Sequence, residues 1–148
     1  MKYDISALGN ALVDTQYMVD HDFLDEIGLE ADSMTLASAE EHSSILDKLQ
    51  SMGVESVSDC GGSATNSLVA ASYYGSKCHH VCRVANDEDG KKYLESLQKA
   101  GVQHIGYSKE DSEMPTGKCL IFVTPDAKRT MSSMLGISAY LGSKDINY

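Results

Sequence analysis

The sequence predicts an α/β protein: a parallel sheet flanked by helices, with a second, smaller β-sheet. Three observations predict it. Short apolar strands alternate with helical segments of about ten residues, which is the pattern of βαβ units. Extended segments at 11–19, 33–37, 103–107 and 117–124 have no helix between partners and read as the separate sheet. Gly53, Gly75 and Gly101 each close a helical segment, as residues free to take positive φ do.

In order, Tyr3–Leu8 reads as a strand closed by Gly9-Asn10, and Ala11–Val19 continues extended. Ser33–Ala37 is a third short strand. Ser38 reads as an N-cap with Glu40 and Glu41 in the first turn, where the helix dipole favours carboxylates. Ile45, Leu46, Leu49 and Met52 then recur at helical spacing. Val54–Asp59 is the next strand, Gly61-Gly62-Ser63 a turn, and Thr65–Tyr74 a helix. Cys78–Ala85, a helix over Asp87–Ala100 and Val102–Tyr107 repeat the alternation. Gly117–Thr124 and Arg129–Leu135 form a hairpin around Pro125–Lys128. Leu141–Tyr148 begins a new turn or helix.

Composition narrows the class. A chain of 148 residues suffices for one domain with its own core, and 42% hydrophobic residues supply it. A net charge of −10 disfavours nucleic-acid backbones and anionic membrane surfaces as partners. No stretch approaches the roughly 20 apolar residues of a spanning helix, and the start lacks a signal-peptide core. A cytoplasmic location is expected. Cys60, Cys78, Cys82 and Cys119 are irregularly spaced and expected to be reduced thiols. On a strand, Cys78, His80 and Cys82 would share one face, yet such neighbours stand about 7 Å apart and rarely converge on one ion. The run reads as a buried strand with a polar edge, and no metal site is expected.

Two segments could carry chemistry. Gly61-Gly62-Ser63-Ala64-Thr65-Asn66 lies between a strand and a helix. Its glycines let a ligand approach the backbone, its first helical turn offers free N–H groups, and Asn66 adds a donor and an acceptor. Vicinal hydroxyls suit that set, and a tight turn without a ligand suits the local sequence equally well. Gly9-Asn10-Ala11-Leu12-Val13-Asp14 ends the first strand. An ionised Asp14 can accept two hydroxyl hydrogen bonds, whereas a lone loop Asp would simply be solvated.

Gly9-Asn10 with Asp14, Gly61-Gly62-Ser63-x-x-Asn66, Arg83-Val84-x-Asn86-Asp87-x-x-Gly90, Pro115-Thr116-Gly117 and Asp126-x-x-Arg129-Thr130-Met131 occur in this order. Together they resemble the PfkB family of ribokinase-like kinases, and slightly more its adenosine-kinase-like branch. The resemblance implies a three-layer α/β/α parallel sheet, incomplete here, with a small β-sheet lid. It implies transfer of phosphate from ATP, with Mg²⁺, to a hydroxymethyl group on a sugar or nucleoside. Asp14 would hold ring hydroxyls, with Asn66 and the Gly62–Ser63 backbone beside it and Asn10 in support. Met131, Ser133 and Leu135 would line the base or sugar face, and Arg129 would position phosphate or a loop, unless it is a hairpin surface residue. Leu68 stands where the family prefers a small residue and Ala85 where it often has Gly.

The family's general base belongs to a Gly-Ala-Gly-Asp-like turn in its second half. No Gly-x-Gly-Asp, P-loop or Gly-x-Gly-x-x-Gly occurs in these 148 residues. The expectation is an N-terminal part that carries the substrate side, with no catalytic residue of its own and the ATP side absent. A non-catalytic nucleoside- or sugar-binding module, or half of a split kinase, is the alternative. Some relatives pair through the lid, so a homodimer is also within the resemblance.

Overall fold

The computed structural model describes residues 2–107 and 113–146, so the last two residues of the expected turn at Leu141–Tyr148 lie outside the described residues. The strands in chain order are β1 (Ile5–Leu8), β2 (Leu12–Met18), β3 (Met34–Leu36), β4 (Ser56–Gly61), β5 (Cys78–Val84), β6 (Gln103–Tyr107), β7 (Gly117–Val123) and β8 (Arg129–Met134). The helices are α1 (His21–Glu26), α2 (Ala39–Ser51), α3 (Ser63–Tyr73) and α4 (Glu88–Lys99), with 3₁₀ turns at Gly136–Tyr140 and Ser143–Asp145. This is the α/β class that the alternation predicts. Among the described residues no helix is long and apolar enough to cross a membrane. The chain divides into two compact units, the first of Met1–Val13, Cys60–Gly117 and Leu135–Tyr148, the second of Asp14–Asp59 and Lys118–Met134.

The first unit holds the parallel sheet β1-β5-β6. Its core joins Cys78, Cys82 and Val84 of β5 to Leu68 of α3 and to Tyr93, Leu94 and Leu97 of α4. The segment 103–107, read from sequence with the second sheet, pairs here with β5. The reason is α4: a strand, a crossover helix and a returning strand form a βαβ unit, which sets the second strand parallel in the same sheet. A partly buried polar latch sits at the start of α4. Asp87 accepts from Gly90 N and Thr116 Oγ1 through Oδ1, and from Thr116 N through Oδ2. Thr116 Oγ1 in turn accepts from Ala85 N at 3.0 Å. Arg83 Nε donates to Asp145 Oδ1 at 2.8 Å and ties the last 3₁₀ turn to β5.

The second unit holds a sheet in the order β3-β8-β7-β2-β4. β3 runs parallel to β8, and β7 and β8 form the antiparallel hairpin. Leu120 and Phe122 of β7 pack with Tyr17, with Phe23 and Leu24 of α1, and with Ile45 and Leu49 of α2. Ser38 and Glu41 cap α2 reciprocally, Ser38 Oγ accepting from Glu41 N and Glu41 Oε2 from Ser38 N. Two elements differ from the sequence reading. α1 was not expected; Asp20 caps it by accepting from Phe23 N at 2.8 Å, and Phe23 and Leu24 bury its short face. β4, read as part of the parallel alternation, neighbours β2 in this sheet. Its mostly exposed residues offer no continuous apolar run for a layer buried on both faces.

Candidate functional site

β4 ends at Gly61, and Gly62 takes φ +97 as it caps α3. A Cβ at Gly62 would stand 2.6 Å from the Asn10 carbonyl, and one at Gly9 would stand 2.6 Å from Ala64 Cβ. The two glycine motifs therefore meet, and only glycine allows the approach. Asn66 N closes the first intrahelical bond on Gly62 O at 3.0 Å. No side-chain hydrogen bond caps α3 and no carboxylate occupies its first turn, so nothing in that turn offsets its positive dipole end. Asn10, Ser63 and Asn66 are exposed. The structure thus brings together Asn10, Gly62, Ser63 and Asn66 within the first unit. Leu135, half-buried, belongs to the same unit.

Behind this platform lies a buried polar chain that the sequence reading did not single out. Thr65 and His80 are fully buried and Tyr93 nearly so. Thr65 Oγ1 contacts His80 Nε2 at 3.0 Å and hydrogen-bonds Tyr93 Oη. Tyr93 Oη lies 3.3 Å from the Gly61 carbonyl, and His80 Nδ1 lies 3.4 Å from the Ala7 carbonyl. The available signal was a polar Thr65 at a position whose helical neighbour Leu68 faces the core.

Asp14, Arg129, Met131 and Ser133 belong to the second unit. On β8, Arg129, Met131 and Ser133 alternate to one face and pair with Val123, Ile121 and Cys119. The other face carries Leu120 and Phe122 into the helix-side core. Tyr17, three residues beyond Asp14 on β2, joins that core, so Asp14 faces the opposite way with Arg129. Burial raises the Asp14 carboxyl above its ordinary range; the Arg129 charge pulls it down and Asp59 pushes it up. Burial likewise raises the Cys119 thiol, while its hydrogen bond from Ser133 Oγ at 3.4 Å lowers it. Cys119 and Asp59 were not foreseen as neighbours of Asp14. Met34 and Leu36, which pair with Met131 and Ser133, are exposed on this face.

A cavity of about 460 Å³ lies elsewhere in the second unit, lined by Thr35, Ala37, Ile45, Lys48 and Ser132 among others. None of the sequence-predicted site residues lines it. Lys48 pairs there with Glu26 at 2.6 Å. Of the Cys78–Cys82 run, His80 has both ring nitrogens committed to Ala7 and Thr65. Burial pushes the Cys82 thiol up to about 12, so it stays protonated at neutral pH. Among the described residues no three metal-ligating side chains converge.

A model of the pfkB family of carbohydrate kinases matches residues 32–147. Ribokinase of Mus musculus is 30% identical over 88 residues, covering 58% of this chain and 26% of that protein. Adenosine kinase 1 of Arabidopsis thaliana is 27% identical over 137 residues, 90% of this chain and 38% of that protein. The crystal structure of adenosine kinase from Sinorhizobium meliloti superposes with a TM-score of 0.83 at 30% identity, covering 99% of this chain and 43% of that one. The chain thus spans 26% and 38% of the two curated relatives' lengths. Its fold is ribokinase-like, and the chain belongs to the pfkB family of carbohydrate kinases.

Proposed function

We propose that this chain carries the substrate-binding side of an ATP-dependent kinase acting on a hydroxymethyl group of a sugar or nucleoside. The observation that carries the reading is the contact of Gly62 with the Asn10 carbonyl, which sets two family motifs side by side at the open N-terminus of α3. Asn66 and the Gly62–Ser63 backbone bind hydroxyls there, supported by Asn10. Asp14 accepts ring hydroxyls, Met131, Ser133 and Leu135 line the base or sugar, and Arg129 positions phosphate or a loop. The adenosine kinase relatives favour a nucleoside substrate.

ATP and Mg²⁺ are held mostly by residues outside this chain, and no residue here is assigned as general base. Phosphoryl transfer depends on positioning and on charge neutralisation at the phosphates. A chain of net charge −10 without a Gly-x-Gly-Asp turn supplies neither. The 148 residues alone are therefore expected to release no ADP above background when given ATP, Mg²⁺ and adenosine or ribose. A longer protein carrying this segment and such a turn is expected to turn over. A coupled ADP-release assay on both checks this; turnover by the 148 residues alone would refute the division of labour. The absent turn also favours a second reading, a binding module or half of a split kinase, which ADP release by the longer protein would remove.

The protein is proposed to act in the cytoplasm. Two copies are proposed to pair through the second sheet, where Met18, Met34, Leu36 and Val57 are exposed. Sedimentation at the mass of a single chain would remove that element.

A further inference from the structure

The buried chain behind the glycine platform has a direction, and the direction depends on one proton. The Ala7 carbonyl can only accept, so its 3.4 Å contact with His80 Nδ1 is a hydrogen bond of the neutral ring only in the Nδ1–H tautomer. Nε2 then accepts from the Thr65 hydroxyl. With its one proton spent, Thr65 Oγ1 accepts from Tyr93, which draws the Tyr93 proton away from the Gly61 carbonyl to which Oη otherwise donates at 3.3 Å. A second proton on His80 reverses the series. Nε2–H donates to Thr65, Thr65 donates to Tyr93, and Tyr93 donates to Gly61 O.

We propose that Thr65, His80 and Tyr93 form a hydrogen-bond relay that positions the Gly61–Gly62 peptide, and with it Ser63 and Asn66, according to the protonation state of His80. They are positioning residues, acting through the backbone of the platform. The anchor points bear this out: Ala7 leads into Gly9-Asn10, Thr65 lies in the first turn of α3, and Gly61 precedes the positive-φ Gly62. A change in what Gly61 O accepts acts directly on the peptide that meets Asn10.

The groups facing His80 determine where it titrates. Its own strand presents Cys78 and Cys82 on the same face and His79 beside it, and β6 presents His104 opposite it. α3 presents Thr65, α4 presents Tyr93, and β1 presents the Ala7 carbonyl. Burial lowers His80 below its ordinary value; the Ala7 bond opposes this, and His79 and His104 add to the lowering. The neutral direction therefore holds at neutral pH and the reversed one appears on acidification.

The inference rests on the reading of Gly62, Ser63 and Asn66 as a substrate platform, and the test separates the two. Nitrogen-15 imidazole spectra of the 148-residue chain are to be followed with the Gly61, Gly62 and Ser63 amides from pH 8 to 5. The neutral ring is expected as the Nδ1–H tautomer, with the three amides moving at the midpoint of His80. Tyr93→Phe and, independently, Thr65→Val are expected to abolish the amide titration while His80 still titrates. In the Thr65→Val chain adenosine binding is expected to weaken about threefold to tenfold, the range for one lost hydrogen bond. An Nε2–H tautomer, amides that ignore the His80 titration, or unchanged amide titration in either variant would overturn the relay. Intact amide coupling with no response to adenosine or ribose would support the relay and remove the substrate reading.

Discussion

Asp14→Asn is expected to weaken substrate binding by more than about 2 kcal/mol, roughly thirtyfold, while leaving the free protein at least as stable. The carboxylate is half-buried on β2, and burial outweighs the Arg129 attraction, so its folded pKa is raised. A raised carboxyl pKa means that the native state binds more protons than the unfolded chain in the window between their pKa values. Stability from this group is therefore greatest below the unfolded value and falls as pH rises through the folded one. Asparagine has no charge to desolvate, so the variant loses that fall between acid and neutral pH. Ligand hydroxyls, in contrast, lose a charged acceptor, and charge-assisted bonds are the stronger ones. Calorimetric titration of a longer, active protein together with urea unfolding at pH 4 and pH 7 measures both arms. Unchanged affinity would take Asp14 out of the site, and a large stability loss at pH 7 would mean that its pairing with Arg129 outweighs its burial.

Gly90→Ala is expected to destabilise the protein by about 3 kcal/mol, among the larger effects of a single methyl. The added carbon would stand 2.2 Å from the Ala85 carbonyl, 2.9 Å from Thr116 Oγ1 and 3.1 Å from Asp87 Oδ1. The first of these is backbone and cannot rotate away. Relief requires moving the start of α4 off β5, which stretches the Asp87 bonds to Gly90 N and to Thr116. Alanine at Ser43, an exposed position on α2, is the natural control and is expected to change stability by less than about 0.5 kcal/mol. Chemical denaturation of the two variants compares them directly. Equal midpoints would mean that the latch yields without cost.

This latch shows what was legible in the sequence. Asn86-Asp87-x-x-Gly90 and Pro115-Thr116-Gly117 were visible as motifs, but their joint role was not, because 25 residues of chain separate Gly90 from Thr116 and only folding brings them together. The α/β class was legible from the alternation of apolar runs, glycine stops and the Ser38 cap, all local signals. Sheet membership is non-local, and there the reading failed for β6 and β4. β6 was read both as the next strand of the alternation and as a member of the second sheet, and α4 before it decides for the first by making it the second strand of a βαβ unit. At the site, Gly62 and Asn66 stood out by type and spacing. Thr65, His80 and Tyr93 did not, since a threonine, a histidine and a tyrosine scattered over 29 positions carry no periodicity.

Gly62, Ser63, Asn66 and Asp14 are each proposed to bind substrate hydroxyls. The most direct test is amide shift mapping on the 148-residue chain titrated with adenosine and, separately, ribose. Saturable shifts at those four residues are predicted. Shifts confined to Thr35, Lys48 and Ser132, which line the cavity of the second unit, or no shifts at millimolar ligand, would contradict the account.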